Sequence, residues 1–175
     1  SKIFTILFFF YFNSYAYSET IGKIIIEGNN RISDETISMF ADVKLNDNID
    51  NEKLNLILKN LYGSNFFDNV SVSFNKNTLN IKVIESPIIE QITLTGVKSN
   101  TMKEELFKIL KLKSRSSLNE TMLSNDRNTI IAYLKNNGYY FAQVETSVEK
   151  LENKLVNVDH KIDIGNKSKI KKISF

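Results

Sequence analysis

The chain has 175 residues, 23 basic and 20 acidic, for a formal charge of +3 at pH 7. The near-balance, with the signs interspersed, argues against a nucleic-acid partner, which needs basic residues gathered on one face. There is no cysteine, so the fold uses neither a disulfide nor a thiolate metal site.

Residues 1–18 read as a targeting segment, not as fold. Lys2 gives a positive start, an apolar run follows from Ile3 to Phe12, and Ser14-Tyr15-Ala16 places small residues where a signal peptidase cuts. That is the three-part pattern of a secretory signal peptide. The apolar run is about half of the ~20 residues a spanning helix needs.

A repeat follows. Ile21, Ile24, Ile26 and Gly28 recur at the same spacing as Ile89, Ile92, Leu94 and Gly96, and Ile170, Ile173 and Phe175 begin the pattern again. The inner part of each copy is an alternating strand, and its closing glycine suits a positive φ. The expected organisation is a signal peptide over 1–18, a first module over 19–87, a second over 88–167, and the first strand of a truncated third over 168–175.

Two helices are expected after each opening strand. In the first copy Ser33 caps one helix, with Asp34 and Glu35 in its first turn and Ile32 and Ile37 as a hydrophobic staple. Asp50 caps the next, whose apolar face is Leu54, Ile57, Leu58 and Leu61. In the second copy Thr101 and Glu104 are spaced as a capping box, and Asn119 caps a helix that buries Leu123, Ile130, Ile131 and Leu134. Asn65 and Gly138 end the second helix of each copy in a left-handed conformation. The aromatic residues after them, including Tyr139, Tyr140 and Phe141, are expected to fold onto the core.

A hairpin closes each copy. Val70, Val72 and Phe74 alternate with Ser71 and Ser73, and Asn75-Lys76-Asn77 turns the chain into Leu79, Ile81 and Val83. Val144, Thr146 and Val148 alternate with Glu145 and Ser147, and are followed by Val156, Val158, Ile162 and Ile164. Alternation means one buried and one wet sheet face. The fold class is therefore α+β: tandem βααββ modules, each a three-stranded mixed sheet covered on one face by two helices. Modules of about 70 residues are marginal alone, so neighbours are expected to help. Pro87, the one proline, sits between the copies and implies an extended connection with limited hinge motion.

No catalytic constellation is visible. His160 is the one histidine; it lies on the apolar side of its strand and reads as packed or at the rim. The acidic residues lie mostly at helix starts and on wet strand faces. No cofactor and no metal are expected. A binding mechanism does follow: one strand of each hairpin should lie at a sheet edge, where unpaired N–H and C=O groups can add a strand from another chain.

Glu85-Ser86-Pro87-Ile88-Ile89 running into Ile92-Thr93-Leu94-Thr95-Gly96 resembles the junction between polypeptide-transport-associated (POTRA) domains. Ile24-Ile25-Ile26-Glu27-Gly28-Asn29 with Arg31-Ile32 resembles the opening of such a domain. Leu61-Tyr62 through Phe67 and Val70 resembles its helix-to-strand turn, with Asn65 where the family usually has Gly. The resemblance covers residues 20–175. It implies the periplasmic part of an outer-membrane β-barrel assembly factor that hydrolyses nothing, with a membrane-embedded barrel further on. The implied partners are unfolded outer-membrane β-barrel proteins, accessory lipoproteins and periplasmic chaperones. It also implies an augmentable edge formed by Val70, Ser71, Val72, Ser73, Phe74 and Asn75, and by Val144, Glu145, Thr146, Ser147, Val148 and Glu149. A related outer-membrane transporter and a free periplasmic chaperone or adaptor are the alternatives.

Overall fold

The computed structural model describes residues 19–167. The expected signal peptide and the expected third-copy strand at Ile170, Ile173 and Phe175 lie outside the described residues. In chain order the elements are β1 (Glu19–Thr20), β2 (Lys23–Glu27), α1 (Asp34–Ala41), β3 (Asn48–Ile49), α2 (Asn51–Gly63), β4 (Phe67–Asn75) and β5 (Thr78–Glu85). Then come β6 (Ile88–Thr95), α3 (Asn100–Ile109), α4 (Glu120–Asn136), β7 (Gln143–Lys150) and β8 (Leu155–Asp163).

Each copy builds a three-stranded mixed sheet. The strand orders are β2-β5-β4 and β6-β8-β7, so the last strand of each copy is the central one. It pairs in parallel with the opening strand and antiparallel with its hairpin partner. The first copy adds a small β1–β3 pair, reduced in the second to a bridge between Ile88 and Ser117. The three-residue step from Ile21 to Ile24, repeated from Ile89 to Ile92, has a structural counterpart. Ile21 stands in a break between β1 and β2, and β6 shifts register between Ile89 and Gln91.

The buried apolar residues form two clusters, one per copy. In the first, Ile37 and Ala41 of α1 and Ile57 and Leu61 of α2 meet Leu79, Ile81 and Val83 of β5. In the second, Leu106 of α3 and Leu123, Ile130 and Leu134 of α4 meet Ile92, Leu94, Val156, Val158 and Ile162. Helix starts follow the expected chemistry at three of four places. Ser33 accepts from the Thr36 N–H, Asp50 from Lys53 at 2.7 Å and Asn119 from Met122 at 2.9 Å. The exception is α3. Its cap is Ser99, which accepts from the Met102 N–H at 3.3 Å, and not Thr101. Ser99 is the first hydroxyl after Val97, whose burial pins the chain beside the sheet.

Asn65 and Gly138 have φ of 63° and 90°, the left-handed helix ends expected of them. The aromatics beyond them diverge. Phe67 is buried, Phe66 stacks on Phe40 at 5.3 Å, and Tyr139 packs on its core. Tyr140 and Phe141, however, are exposed rather than folded inward. The second copy has one more residue between its left-handed residue and the buried valine of the edge strand. That residue is absorbed in a turn closed by the Ala142 N–H on the Tyr139 carbonyl, which carries both rings outward.

Between the sheets lie only Ser86 and Pro87. The Ser86 N–H donates to the Phe66 carbonyl at 2.9 Å, and its carbonyl accepts from Arg31 at 2.7 Å. The Pro87 carbonyl accepts from the Leu118 N–H at 2.8 Å, and Asn119 donates to the Asn65 side chain at 2.9 Å. The connection is thus hydrogen-bonded on both sides.

Gly28 and Gly96 are required where they stand. Their φ values are 91° and 85°, and a Cβ there would come 2.0 Å from the Val83 oxygen and 1.9 Å from the Ile162 oxygen. Neither backbone oxygen can retreat without breaking the central strand. Gly96→Ala should therefore destabilise the second module by ~3 kcal/mol or more. Denaturant titration followed by residue-resolved amide signals checks this: Val156 and Val158 should lose protection well before Leu79 and Ile81.

Candidate functional site

The expected binding strands lie at sheet edges: among the described residues, β4 and β7 each pair with a central strand on one side only. Which of their residues face outward follows from two observations. The turn between β4 and β5 has Lys76 and Asn77 at φ 48° and 60°, and Asn75 pairs with Thr78. That geometry is a two-residue type I′ hairpin, whose closing pair is hydrogen-bonded. Bonded and non-bonded pairs then alternate, so Asn75, Ser73 and Ser71 point their backbone groups at β5. Phe74, Val72 and Val70 point theirs outward. Independently, the outward groups of Val70 are seen with a partner on the open side: its N–H donates to the Tyr62 hydroxyl at 3.1 Å.

The second edge has the same parity. The Leu151 N–H donates to the Leu155 carbonyl at 2.9 Å, and Lys150 pairs with Val156. Glu149, Ser147 and Glu145 therefore bond to β8, while Lys150, Val148, Thr146 and Val144 face out. Consistent with this, Arg127 donates to the Val144 carbonyl at 2.8 Å. Of the twelve residues expected at the edges, Val70, Val72, Phe74, Val144, Thr146 and Val148 thus present free-side backbone. The other six serve the internal ladder. Side chains of the outward set turn toward the core, with Val70 and Val144 buried.

His160 is packed, with no exposed surface. Its Nδ1 lies 2.8 Å from the Thr146 hydroxyl, and its Nε2 has no partner among the described residues. Burial pushes its pKa down, and the nearby carboxylates of Asp126 and Asp159 offset only part of that. No group of residues able to hold a metal ion occurs among the described residues.

Two acidic residues depart from the expected pattern of helix starts and wet faces. Glu85 is buried at the end of β5. One of its oxygens accepts from the N–H groups of Asn30, Arg31 and Ile32 at 2.8, 2.8 and 3.0 Å, and the other from Arg31 Nε at 2.8 Å. Burial pushes this carboxyl up, but the three backbone donors and the guanidinium together bring it down to about 2. Asp126 is buried on α4 and accepts from the N–H groups of Lys111 and Leu112 at 2.8 and 2.9 Å. A signal was present in both cases. Glu85 has the parity of Leu79, Ile81 and Val83, and Asp126 falls on the stripe of Leu123, Ile130 and Leu134. An acid on an apolar face needs buried donors.

Residues 19–86 and again 87–165 match the POTRA family model, described as a surface antigen variable number repeat. The chain belongs to the POTRA family. It is 31% identical over 163 residues to the outer membrane protein assembly factor BamA of Neisseria meningitidis serogroup B, covering 89% of this chain and 20% of that protein. It is 26% identical over 88 residues to the BamA of Neorickettsia risticii, covering 50% of this chain and 12% of that protein. The chain thus spans a fifth or less of the curated relatives it matches. The N-terminal domain of Omp85 from Thermosynechococcus elongatus has the same fold, with a TM-score of 0.56, 16% identity, and coverage of 83% of this chain and 62% of that one. POTRA1-2 of Omp85 from Anabaena superposes with a TM-score of 0.52 at 15% identity, covering 85% of this chain and 98% of that one.

Two of the buried titratable groups, Glu85 and His160, give the modules separate acid responses. Glu85 stabilises the first module fully above its ordinary 4.5, and this contribution, on the order of 3 kcal/mol, is lost as pH falls toward about 2. His160 is held neutral when folded, so the unfolded chain binds its proton more readily and the second module weakens as pH falls below 6.5. Module-resolved amide exchange against pH should show the second module weakening first. His160→Leu should flatten that early loss, and Glu85→Gln should lower the first module by about 2 kcal/mol at neutral pH.

Proposed function

We propose that these modules are the periplasmic receiving arm of an outer-membrane β-barrel assembly factor. They take up unfolded outer-membrane proteins by adding a client strand to β4 or β7. The supporting observation is the open edge: in each module, alternate residues of the first hairpin strand turn N–H and C=O groups away from the sheet, with no strand opposite among the described residues. The similarity to assembly factors supplies the class of client. Backbone pairing is nearly indifferent to side chains, which suits a receiver of many sequences, and a barrel strand is itself an extended segment seeking a partner.

Accessory lipoproteins and periplasmic chaperones belong to the same proposal as docking partners. Periplasmic placement follows from the targeting pattern of residues 1–18 together with the similarity to assembly factors. The role is one of binding, with no chemistry assigned to any residue.

The parity of the edge makes the test specific. Proline at Val72 and Val148 removes outward N–H groups and leaves the internal ladder its donors. The doubly substituted chain should bind a labelled outer-membrane β-barrel strand peptide at least about tenfold more weakly, a change of about 1.4 kcal/mol. Its circular dichroism should match that of the unsubstituted chain. Equal binding by the two would contradict strand addition at these edges.

A further inference from the structure

We propose that Tyr62 is a register gate on the first module's edge, which holds an incoming strand to Val72 and Phe74. This rests on the strand-addition reading above. Tyr62 lies in the last turn of α2, and its hydroxyl meets both outward groups of Val70: it accepts from the N–H at 3.1 Å and donates to the C=O at 3.4 Å. A phenol has one proton and free lone pairs, so a single hydroxyl serves both backbone groups. In an antiparallel ladder an outward residue pairs through its N–H and C=O together. Tyr62 therefore removes Val70 as a pairing site and leaves two outward residues on β4.

The second module is gated differently. Counting back from its left-handed residue Gly138, Lys135 stands where Tyr62 stands before Asn65. The contact to the edge comes instead from Arg127, two turns earlier on α4, which donates to the Val144 carbonyl at 2.8 Å. A guanidinium has donors only. It takes the C=O and leaves the Val144 N–H without a side-chain partner among the described residues. Thr146, Val148 and Lys150 follow as outward residues on β7. The second module thus offers the longer acceptor edge and the first the shorter, with Tyr62 setting the difference. Tyr62 is itself 46% exposed, so the residue stands at the surface beside this edge.

Tyr62→Phe keeps the ring and removes the gate. The experiment uses the whole chain in a Val148→Pro background, which confines binding to the first module. Three quantities are read: exchange of the Val70 amide in the free protein, affinity for an outer-membrane β-barrel strand peptide, and register. The chain has no native cysteine, so one cysteine placed on β4 and one moved along the peptide report register by disulfide formation. Tyr62→Phe should speed Val70 exchange, tighten binding about three- to tenfold, and move the favoured disulfide two residues toward Val70. Unchanged protection of Leu79 and Ile81 shows that the fold is kept. If the parent binds and Val72→Pro blocks it, but Tyr62→Phe changes neither affinity nor register, the gate is overturned and strand addition stands. If the parent binds no peptide at this edge, both are overturned.

Discussion

Each module depends on its last strand lying in the middle of the sheet. β5 and β8 hold a parallel partner on one side and an antiparallel partner on the other. Every other feature follows from that placement. The chain must return from the opening strand to the far side of the sheet, which requires the two helices as a crossover. The first hairpin strand is then left outermost, with half its backbone groups turned away from the sheet. The glycines that close the opening strands belong to the same constraint. At Gly28 and Gly96 the departing chain runs against a carbonyl of the central strand, where no side chain fits. The edge is therefore a consequence of strand order, and it would be present whatever residues occupied it.

The two modules reach this common frame with different buried charges. Matching the helix caps Asp50 and Asn119 sets Ile57 of α2 against Asp126 of α4. Matching the carbonyls of Val83 and Ile162 that face the two glycines sets Glu85 against Ile164. Each module thus has one carboxylate where the other has isoleucine, and each carboxylate ties down a different loop. Glu85 gathers the β2–α1 loop, and Asp126 the α3–α4 loop. Glu85 also stands beside the connection, because the guanidinium it binds reaches on to the Ser86 carbonyl. Closure of the first module and fixation of the link between modules therefore share one ion pair.

Much of this was legible in the sequence because it is local. Alternation along β4, β5, β7 and β8, the caps Ser33, Asp50 and Asn119, and the glycines at strand ends each need only a few neighbouring residues. What escaped depends on distant partners or on single-residue offsets. Glu85 has the right parity for burial, but its donors are more than fifty residues away. Ser99 and Thr101 are both plausible caps, and the burial of Val97 decides between them. One extra residue before Val144 turns Tyr140 and Phe141 outward. Hydrogen-bonding direction at the edges was unreadable because alternation of side chains places apolar faces and leaves the pairing phase open. The phase came from positive φ at Lys76 and Asn77, and from Tyr62 meeting a residue eight positions on.

On the proposed reading, an unfolded barrel strand becomes an additional strand of these sheets. The direct measurement is solution NMR of the isotope-labelled chain with an unlabelled strand peptide, reading cross-strand contacts to the backbone amide protons of the two edges. Peptide contacts should appear at Val72 and Phe74, and at Thr146 and Val148, alternating with silent amides at Ser71, Ser73 and Ser147. Contacts confined to the helix faces, or spread over the edges without alternation, would contradict it.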